Sequence, residues 1–447
     1  MDKSKIIDYI YIKNLHGYKN IKINFDSPFL ILLSENGQGK STILRIINSC
    51  LCLELNQLEN IKFEKIIIKF TKTQDKAILK KDDLSSEILS NSYAYDYIRK
   101  RLPEIEFKEL IYLIKSNPNY ESIINNVKQT SFLKKYNIPN GAIKELIIDS
   151  KKIVENDAIN SFTQIIEKNF TKKPLYLPTY RRIEQLMEEI SSDVIKDKNI
   201  QFGLQDVKNR IEEIRQTILT SSNDTMSRIN SEILKKLING LKVNKEEIKI
   251  IEDNKKDIDL LLNRFGKNLT DDEKEKIKKE TFKDNSEKSD PALIYFISKM
   301  FNSFFEQRKK DQALKDFTEI CSKYFNNKTM DYDENSIKVS VNLIQNKIIC
   351  EDEVPLEDLS SGEKQIISLF SKLFLEEEQE YFILFDEPEL SLSVEWQKML
   401  LNDVLKAPSC HMLLCMTHSP FIFDNLEDIT YDLNDFFLTD KECNNND

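Results

Sequence analysis

The stretch of sequence that decides the fold is SENGQGKST, residues 34–42. It has the spacing of a phosphate-binding P-loop, although Ser34 stands where that motif normally begins with glycine. The apolar run FLILL at 29–33 precedes it, and an apolar-periodic segment follows at 41–50. These flanks predict a buried strand before the loop and, after it, a helix whose N-terminus faces bound phosphates.

The residue types in this loop suit a nucleotide. Gly37 and Gly39 allow the backbone to approach closely, so the N–H groups of residues 36–40 can surround the β- and γ-phosphates of ATP. Lys40 supplies positive charge to the γ-phosphate, and the Ser41 hydroxyl is a ligand for Mg²⁺. The predicted nucleotide-binding residues of the loop are Asn36, Gly37, Gln38, Gly39, Lys40, Ser41 and Thr42.

Two acids follow an apolar run far along the chain. Residues 381–385 read YFILF, and such a continuous apolar stretch is typical of a strand buried on both faces. Asp386 and Glu387 therefore lie at the carboxyl end of a predicted core strand. We expect Asp386 to hold Mg²⁺ through its water shell, and Glu387 to act as the general base that orients the attacking water.

Two more short stretches complete the set. Residues 359–365 read LSSGEKQ, and residues 417–419 read THS after an apolar segment at 412–416. A helix is predicted to begin near Glu363, and the hydroxyls and amides at a helix N-terminus suit an incoming phosphate. Together with the loop and the two acids, these stretches indicate one kind of site, that of a nucleotide hydrolase.

In this order, the four stretches resemble the ABC-type ATPase head shared by RecF, SMC proteins and the OLD family. Residues 12–25 are similar to the first β-hairpin of that group. Residues 175–182 and 202–207 are similar to the ATPases of bacterial antiphage systems, PtuA of Septu and of some retrons and AriA of PARIS. The resemblance implies an α/β fold, a P-loop NTPase head with a mixed sheet and an antiparallel β segment, and an inserted short helical or coiled-coil arm.

The resemblance also implies roles for the later stretches. It identifies Ser360, Ser361 and Gly362 with the signature that contacts the ATP of a second subunit. This gives a head-to-tail dimer with two ATP molecules at its interface. It identifies His418 with the switch histidine that senses the γ-phosphate, and so with the catalytic group that includes Glu387.

Two further family elements are less well matched. Residues 389–393 occupy the place of the D-loop, which joins the two ATP sites across the dimer, although relatives often have histidine where Ser393 stands. The glutamine of the family's Q-loop has two candidates here, Gln164 and Gln185, and the sequence does not choose between them.

Composition restricts the class of protein. The chain of 447 residues is 40% hydrophobic and 31% charged, with a formal net charge of −10, which suits a large, helix-rich soluble protein. No apolar stretch reaches the ~18 residues that span a bilayer, and the N-terminus lacks the apolar region of a signal peptide. Seven cysteines without metal-ligand spacing argue against a disulfide framework. We therefore expect a cytoplasmic protein with no membrane partner.

The charge balance does not favour nucleic acid as a partner, although it does not exclude it. Non-specific binding to duplex DNA needs a basic stripe. The short basic runs at 99–101 and 308–310 lie among acids. They are interpreted as solvated helix faces, with a phosphate contact as the alternative.

Three segments are predicted along the chain. They are the N-terminal part of the head at 1–182, an inserted helical arm at 183–325, and the C-terminal part of the head at 326–447. The ~140 residues of the arm permit two helices of ~45 residues, each ~65 Å long at most, which excludes the long coiled coils of SMC proteins. Charge-dense segments at 254–259 and 270–290 predict turns or mobile loops within it.

Three hypotheses of function follow. The first, carried over from the resemblance, is an ATP-driven sensor and scaffold of an antiphage defence complex. Its dimers assemble further, up to a hexamer, and control a separate HNH or toprim nuclease until a phage trigger protein arrives. The alternative is a RecF- or SMC-like repair ATPase that clamps DNA, with salt-sensitive DNA binding. The third is a scaffold that binds ATP but scarcely hydrolyses it; slow hydrolysis fits both the sensor and the scaffold, because a switch must persist in its bound state.

Overall fold

The structure is a computed structural model of the chain. It describes residues 3–35, 37–84, 97–98, 101–103, 106, 110, 136, 138–139, 141–145, 157–178, 203–239, 244–265, 269–282, 290–346, 348–376 and 379–438. Asn36, a predicted nucleotide-binding residue, lies outside the described residues. So does Gln185, together with most of residues 85–156.

Strands and helices of the described residues are numbered in chain order. The strands are β1 (Ile7–Leu15), β2 (Lys19–Asn24), β3 (Phe29–Leu33), β4 (Lys65–Phe70), β5 (Lys76–Lys80), β6 (Lys173–Leu177), β7 (Lys328–Asp333), β8 (Lys338–Gln345), β9 (Ile348–Glu353), β10 (Tyr381–Asp386), β11 (Cys410–Thr417) and β12 (Thr430–Asp432). The helices are α1 (Lys40–Leu51), α2 (Asp157–Asn169), α3 (Leu204–Asn239), α4 (Lys245–Asp253), α5 (Ile258–Phe265), α6 (Asp271–Thr281), α7 (Pro291–Ser322), α8 (Ser361–Leu375) and α9 (Val394–Lys406).

The chain divides into two compact units, and the first comprises Met1–Pro178, Tyr381–Pro388 and His411–Asp447. Its larger sheet has five strands in the order β12-β3-β11-β10-β6. The pairs β12–β3, β3–β11 and β10–β6 are parallel. All six residues of β10 are buried, because a strand inside a parallel sheet is covered on both faces. The apolar runs at 29–33, 381–385 and 412–416 thus form β3, β10 and β11.

A second sheet in this unit is antiparallel, with the strand order β2-β1-β4-β5. The predicted first hairpin is β1–β2, in which Ile10 pairs with Ile23 and Ile12 with Ile21. One apolar core joins this sheet, α1 and the five-stranded sheet. Within α1, buried residues recur at three- and four-residue spacing, among them Ile43 and Ile47, so the helix presents one apolar face to the strands.

The second unit comprises Thr179–Glu380 and Glu389–Cys410. Its two longest helices are α3, with 36 residues, and α7, with 32, so at 1.5 Å per residue they extend ~54 and ~48 Å. Both helices are shorter than the upper limit of ~65 Å that the length of the arm allowed. Residues of α3, α4, α5 and α7 form a separate apolar core, in which Leu261 and Phe301 are fully buried. The helical segment therefore has its own hydrophobic centre.

One local prediction was wrong. The charge-dense segment 270–290 was expected to form turns or mobile loops, but Asp271–Thr281 is the helix α6. Thr270 is its N-cap, and Glu273 completes a reciprocal capping box with it. The cap satisfies backbone N–H groups at the first turn, and three acids there interact favourably with the helix dipole. Charge density alone did not break the helix, since Glu and Lys are good helix formers.

A buried ion pair joins elements of the second unit. Arg264 of α5 donates from Nη1 to Asp311 Oδ2 of α7 at 2.6 Å, and from Nε to the Glu334 backbone oxygen at 2.7 Å. The Tyr332 hydroxyl of β7 also donates to Asp311. Removing one partner of such a pair leaves an uncompensated buried charge. The pair therefore fixes α5, α7 and β7 relative to one another.

The remainder of the second unit contains a small antiparallel sheet, with the order β7-β8-β9, followed by α8 and α9. Parallel and antiparallel sheets accompanied by a helical segment confirm the predicted α/β class. None of the helices in the described ranges is both long enough and apolar enough to cross a membrane.

Candidate active site

The P-loop lies between β3 and α1, at the carboxyl edge of the five-stranded sheet. Gly37 and Gly39 have φ of 84° and 96°, a region of backbone space that glycine enters without steric cost. Gly39 is the N-cap of α1, which begins at Lys40. The Ser34 backbone N–H donates to the Thr417 oxygen at 3.0 Å, which ties the start of the loop to the end of the neighbouring strand β11.

Lys40 and Glu387 form an ion pair inside the site. Lys40 Nζ lies 2.8 Å from Glu387 Oε1, and the side chains are 5% and 18% exposed. Lys40 also donates to the Ser34 backbone oxygen at 3.4 Å. The P-loop is therefore in direct contact with the acidic end of β10, although the two are about 350 residues apart in the sequence. The contact is possible because β3, β11 and β10 are neighbours in the sheet.

Asp386, the last residue of β10, is 1% exposed. Tyr176 of β6 donates from its hydroxyl to Asp386 Oδ2 at 3.2 Å, whereas Oδ1 has no hydrogen-bond partner among the described residues. Burial raises the pKa of Asp386 above its usual 3.8, and the hydroxyls of Ser41 and Tyr176 and the charge of Lys40 act in the opposite direction. A buried carboxylate oxygen without a donor, beside a serine hydroxyl, fits a hard cation such as Mg²⁺.

Glu387 has a strained backbone. Its φ is 47°, in the left-handed region that residues with a side chain seldom occupy. Its N–H donates to the Met416 oxygen of β11 at 2.9 Å, which holds the residue in that conformation. Such strain is found at functional sites where surrounding contacts over-determine the backbone. Here it aims the carboxylate back toward Lys40.

His418 follows β11 and approaches the same carboxylate. Its Nδ1 lies 3.9 Å from Glu387 Oε1, and its side chain is 40% exposed. Thr417 before it is fully buried, and its Oγ1 accepts the backbone N–H of Ser419 at 3.0 Å. The structure therefore brings together the predicted residues Lys40, Ser41, Asp386, Glu387 and His418.

Gln38 and Thr42 have other surroundings. Gln38 donates from Nε2 to Asn434 Oδ1 at 3.2 Å, and its backbone oxygen accepts from Lys19 Nζ at 3.0 Å. These bonds link the P-loop to Asn434 and to the start of β2. Thr42 is half-buried in the first turn of α1, and Gln164 is exposed on α2.

No group of three or more His, Cys, Asp or Glu side chains suited to a metal ion occurs in the described ranges.

The predicted signature residues lie in the second unit, at the start of α8. Ser360 is its N-cap, so the helix begins at Ser361, two residues before Glu363, near which it was expected to begin. Glu363 Oε2 accepts the Ser360 backbone N–H at 2.8 Å and its hydroxyl at 2.9 Å. Lys328 Nζ lies 2.8 and 3.0 Å from the two carboxylate oxygens of Glu363. The capping box thus fixes Ser360, while Ser360 and Ser361 are exposed to solvent.

Gly362 has a packing reason to be glycine. A Cβ at this position would lie 2.9 Å from Cζ3 of Trp396 and 3.3 Å from the backbone oxygen of Ser391. Ser391 belongs to the predicted D-loop and has a φ of 68°. Ser393, which stands where relatives often have histidine, is the N-cap of α9 and accepts the Trp396 N–H at 3.3 Å. The start of α8 is therefore packed tightly on the segment 389–396.

Sequence reasoning missed two contributors to these arrangements. Tyr176 was noted only as part of the stretch 175–182 that resembles antiphage ATPases, and Lys328 was not singled out. Tyr176 could have been found from its position between the apolar residues Leu175 and Leu177. A tyrosine hydroxyl in such a run needs a hydrogen-bond partner once it is buried. No sequence spacing connects Lys328 with Glu363, because the contact depends on how β7 packs beside α8.

Comparison with known proteins gives a family match. A family model described as AAA ATPase domain (AAA_15) matches residues 6–423, a range that includes all four stretches. No curated protein matches the chain. Similar solved structures include an Smc head domain from Pyrococcus furiosus, with an extended coiled coil and bound to the C-terminal domain of ScpA. It is 14% identical with a TM-score of 0.33, covering 94% of this chain and 91% of that chain. An Smc head domain with a coiled coil and joint from Pyrococcus yayanosii is 15% identical with a TM-score of 0.31, covering 94% and 93%.

The first prediction concerns Lys40→Ala. We expect this change to lower affinity for ATP by at least ~10-fold, since a hydrogen bond to a charged group contributes about 1.5–3 kcal/mol. Equilibrium binding of a fluorescent ATP analogue measures the change. Lys72→Ala, which removes an exposed lysine of the same unit, is the matched control. Unchanged affinity in the Lys40 variant would exclude the P-loop assignment.

The second prediction concerns Gly362→Ala. The added methyl must displace Trp396 or the backbone of Ser391, so we expect a loss of about 1–3 kcal/mol in stability, as for other overpacked sites. Trp396 is the only tryptophan of the chain, so its emission spectrum reports the displacement directly. Gly141→Ala is the control, because a Cβ there meets nothing within 4 Å. Equal melting temperatures and emission for the two variants would contradict the packing argument.

Proposed function

Because the chain belongs to the AAA ATPase domain family, we propose that it binds and hydrolyses MgATP at the cluster of Lys40, Ser41, Asp386 and Glu387. One observation carries the proposal: the buried Lys40 ammonium lies 2.8 Å from the Glu387 carboxylate, directly at the N-terminus of α1. A lysine in that place is suited to a phosphate, and the adjacent acids are suited to a cation and a water molecule.

Each residue has a separate task in this proposal. Backbone N–H groups from Gly37 to Lys40 and the N-terminus of α1 bind the phosphates, and Lys40 neutralises part of their charge. Ser41 and Asp386 would hold Mg²⁺, which when bound neutralises phosphate charge and orients the γ-phosphoryl group. Glu387 orients the attacking water and accepts its proton.

The Lys40–Glu387 ion pair suggests how the site is kept inactive without nucleotide. While Lys40 Nζ lies 2.8 Å from Glu387 Oε1, the lysine competes with a water molecule for that oxygen. A γ-phosphate beside the loop competes for Lys40 with more negative charge than a single carboxylate. Binding of ATP thereby frees Glu387, whose Oε1 lies 3.9 Å from His418 Nδ1. The general base then becomes available only once ATP is in place.

We further propose that Ser360, Ser361 and Gly362 serve the ATP of a second copy, in a head-to-tail dimer. Ser360 and Ser361 are exposed, and the first turn of α8 presents backbone N–H groups with the positive end of its dipole. The Glu363 carboxylate behind them is already neutralised by Lys328 at 2.8 Å. The charge of the Glu363 carboxylate therefore does not oppose an incoming phosphate.

The third prediction is that Glu387→Gln blocks hydrolysis and prolongs the dimer. The amide keeps the shape of the side chain but cannot accept the proton, so ATP stays bound. Phosphate release should fall by ~100-fold or more, in line with the loss of a general base, and light scattering with MgATP should show a longer-lived dimer. Glu395→Gln, an exposed acid of α9, is the control. Turnover equal to that of the wild type would remove Glu387 from the mechanism.

The biological role proposed is that of a slow ATP-driven sensor and scaffold in antiphage defence. The residues at 175–182 and 202–207 that resemble the antiphage ATPases support it, as does a helical segment too short to bridge distant DNA. In this role the ATP-bound oligomer, up to a hexamer, holds a separate HNH or toprim nuclease until a phage protein changes its nucleotide state. The net charge of −10 speaks against a DNA clamp as the primary role.

The fourth prediction tests this role. Co-expressed with the product of the neighbouring gene, the protein should form an oligomer that retains a nuclease, as measured by native mass spectrometry. Cells carrying both genes should resist phage, and Lys40→Ala should abolish resistance. Strong binding to duplex DNA that weakens steeply with salt, without a co-purifying nuclease or resistance, would favour the repair ATPase instead.

A further inference from the structure

Tyr176 carries a hydroxyl group that the ATPase mechanism above does not use. It lies in β6, which pairs in parallel with β10 so that Tyr176 is opposite Leu384 and Leu177 opposite Phe385. The side chain is half-buried and packs against the core of the first unit. Its hydroxyl donates to Oδ2 of Asp386, the last residue of β10, at 3.2 Å.

The two oxygens of Asp386 have different surroundings. Oδ2 is held by the Tyr176 hydroxyl, whereas Oδ1 is buried and has no hydrogen-bond donor among the described residues. The carboxylate as a whole is 1% exposed, so water cannot freely replace a missing donor. Fixing one oxygen limits rotation of the carboxylate about its Cβ–Cγ bond, and so determines which oxygen stays available.

We propose that Tyr176 is a positioning residue for the divalent cation of the ATPase reaction, an inference that rests on the proposed function. By donating to Oδ2 it holds the Asp386 carboxylate in one orientation and leaves Oδ1 for the water shell of the cation. Hydrogen-bond donors behind a ligating carboxylate are known to set its orientation, and their removal typically weakens metal binding. The strand beside β10 thereby contributes to the site without touching the nucleotide.

A phenylalanine in this place would keep the ring and its packing. It would remove the donor to Oδ2, so the buried carboxylate would no longer be held on that side and could turn about its Cβ–Cγ bond. Such a turn removes Oδ1 from its position. The expected defect is therefore specific to the cation, since the P-loop amides and Lys40 still bind the phosphates.

The fifth prediction follows from Tyr176→Phe. Affinity for a fluorescent ATP analogue is measured with EDTA and over a Mg²⁺ titration, and Mn²⁺ binding to the ADP complex is followed by electron paramagnetic resonance. We expect unchanged affinity in EDTA, and a rise of ~10- to 100-fold in the Mg²⁺ and Mn²⁺ concentrations for half-saturation. Tyr431→Phe is the control, because the hydroxyl of this tyrosine, which lies on β12 in the same sheet, donates to the Asp428 backbone oxygen at 3.4 Å.

The outcomes separate this inference from the function on which it rests. Half-saturation by Mg²⁺ and Mn²⁺ equal to that of the wild type, with or without a lower melting temperature, would make Tyr176 a packing residue and overturn the inference alone. Equal loss of affinity in EDTA and in Mg²⁺ would also overturn it, because the defect would then lie in the phosphate site. If neither the wild type nor Lys40→Ala binds the nucleotide, the proposed function fails, and the inference with it.

Discussion

The candidate active site depends on burying two neighbouring carboxylates beside one lysine at the end of a core strand. Asp386 is 1% exposed, and the side chains of Glu387 and Lys40 are 18% and 5% exposed. Removing an ion from water costs several kcal/mol even after relaxation, and this cost is recovered only when partners are well placed. The Lys40 ammonium, 2.8 Å from Glu387 Oε1, therefore offsets part of the cost of burying the acidic strand end beside the P-loop. The same charges are the ones that nucleotide and cation require.

The order of strands supplies that placement. Ser34 N–H donates to Thr417, and Glu387 N–H donates to Met416, so the ends of β3, β11 and β10 are linked by backbone hydrogen bonds. These links also hold Glu387 at a φ of 47°, a conformation that an isolated chain would leave because it is strained. Sheet stability thus maintains the geometry of the site. A mutation in the apolar core is expected to act on the site through these bonds.

The start of α8 uses a different solution to a similar problem. Ser360 caps the helix and is held by Glu363, whose charge is balanced by Lys328. Gly362 permits α8 to contact Trp396 and the backbone of Ser391 at distances that no side chain allows. The capping box therefore fixes the start of α8 while Ser360 and Ser361 stay exposed. A helix start fixed in this way suits the proposed recognition of a phosphate from a second copy, because it need not rearrange first.

By itself, the sequence determined the chemistry that local order can carry. A few consecutive residues are enough to predict the P-loop, the helix after it, the acidic strand end and the Thr-His pair. This is because short-range spacing sets turn geometry, helix capping and strand burial. The capping box at Thr270 and Glu273 is also a local signal of a helix start. It was overlooked because the segment was judged by its charge density. Only the tertiary structure decided which distant groups meet. Lys40 with Glu387, Tyr176 with Asp386, and Lys328 with Glu363 are pairs that depend on strand order and packing, and no spacing along the chain encodes those contacts.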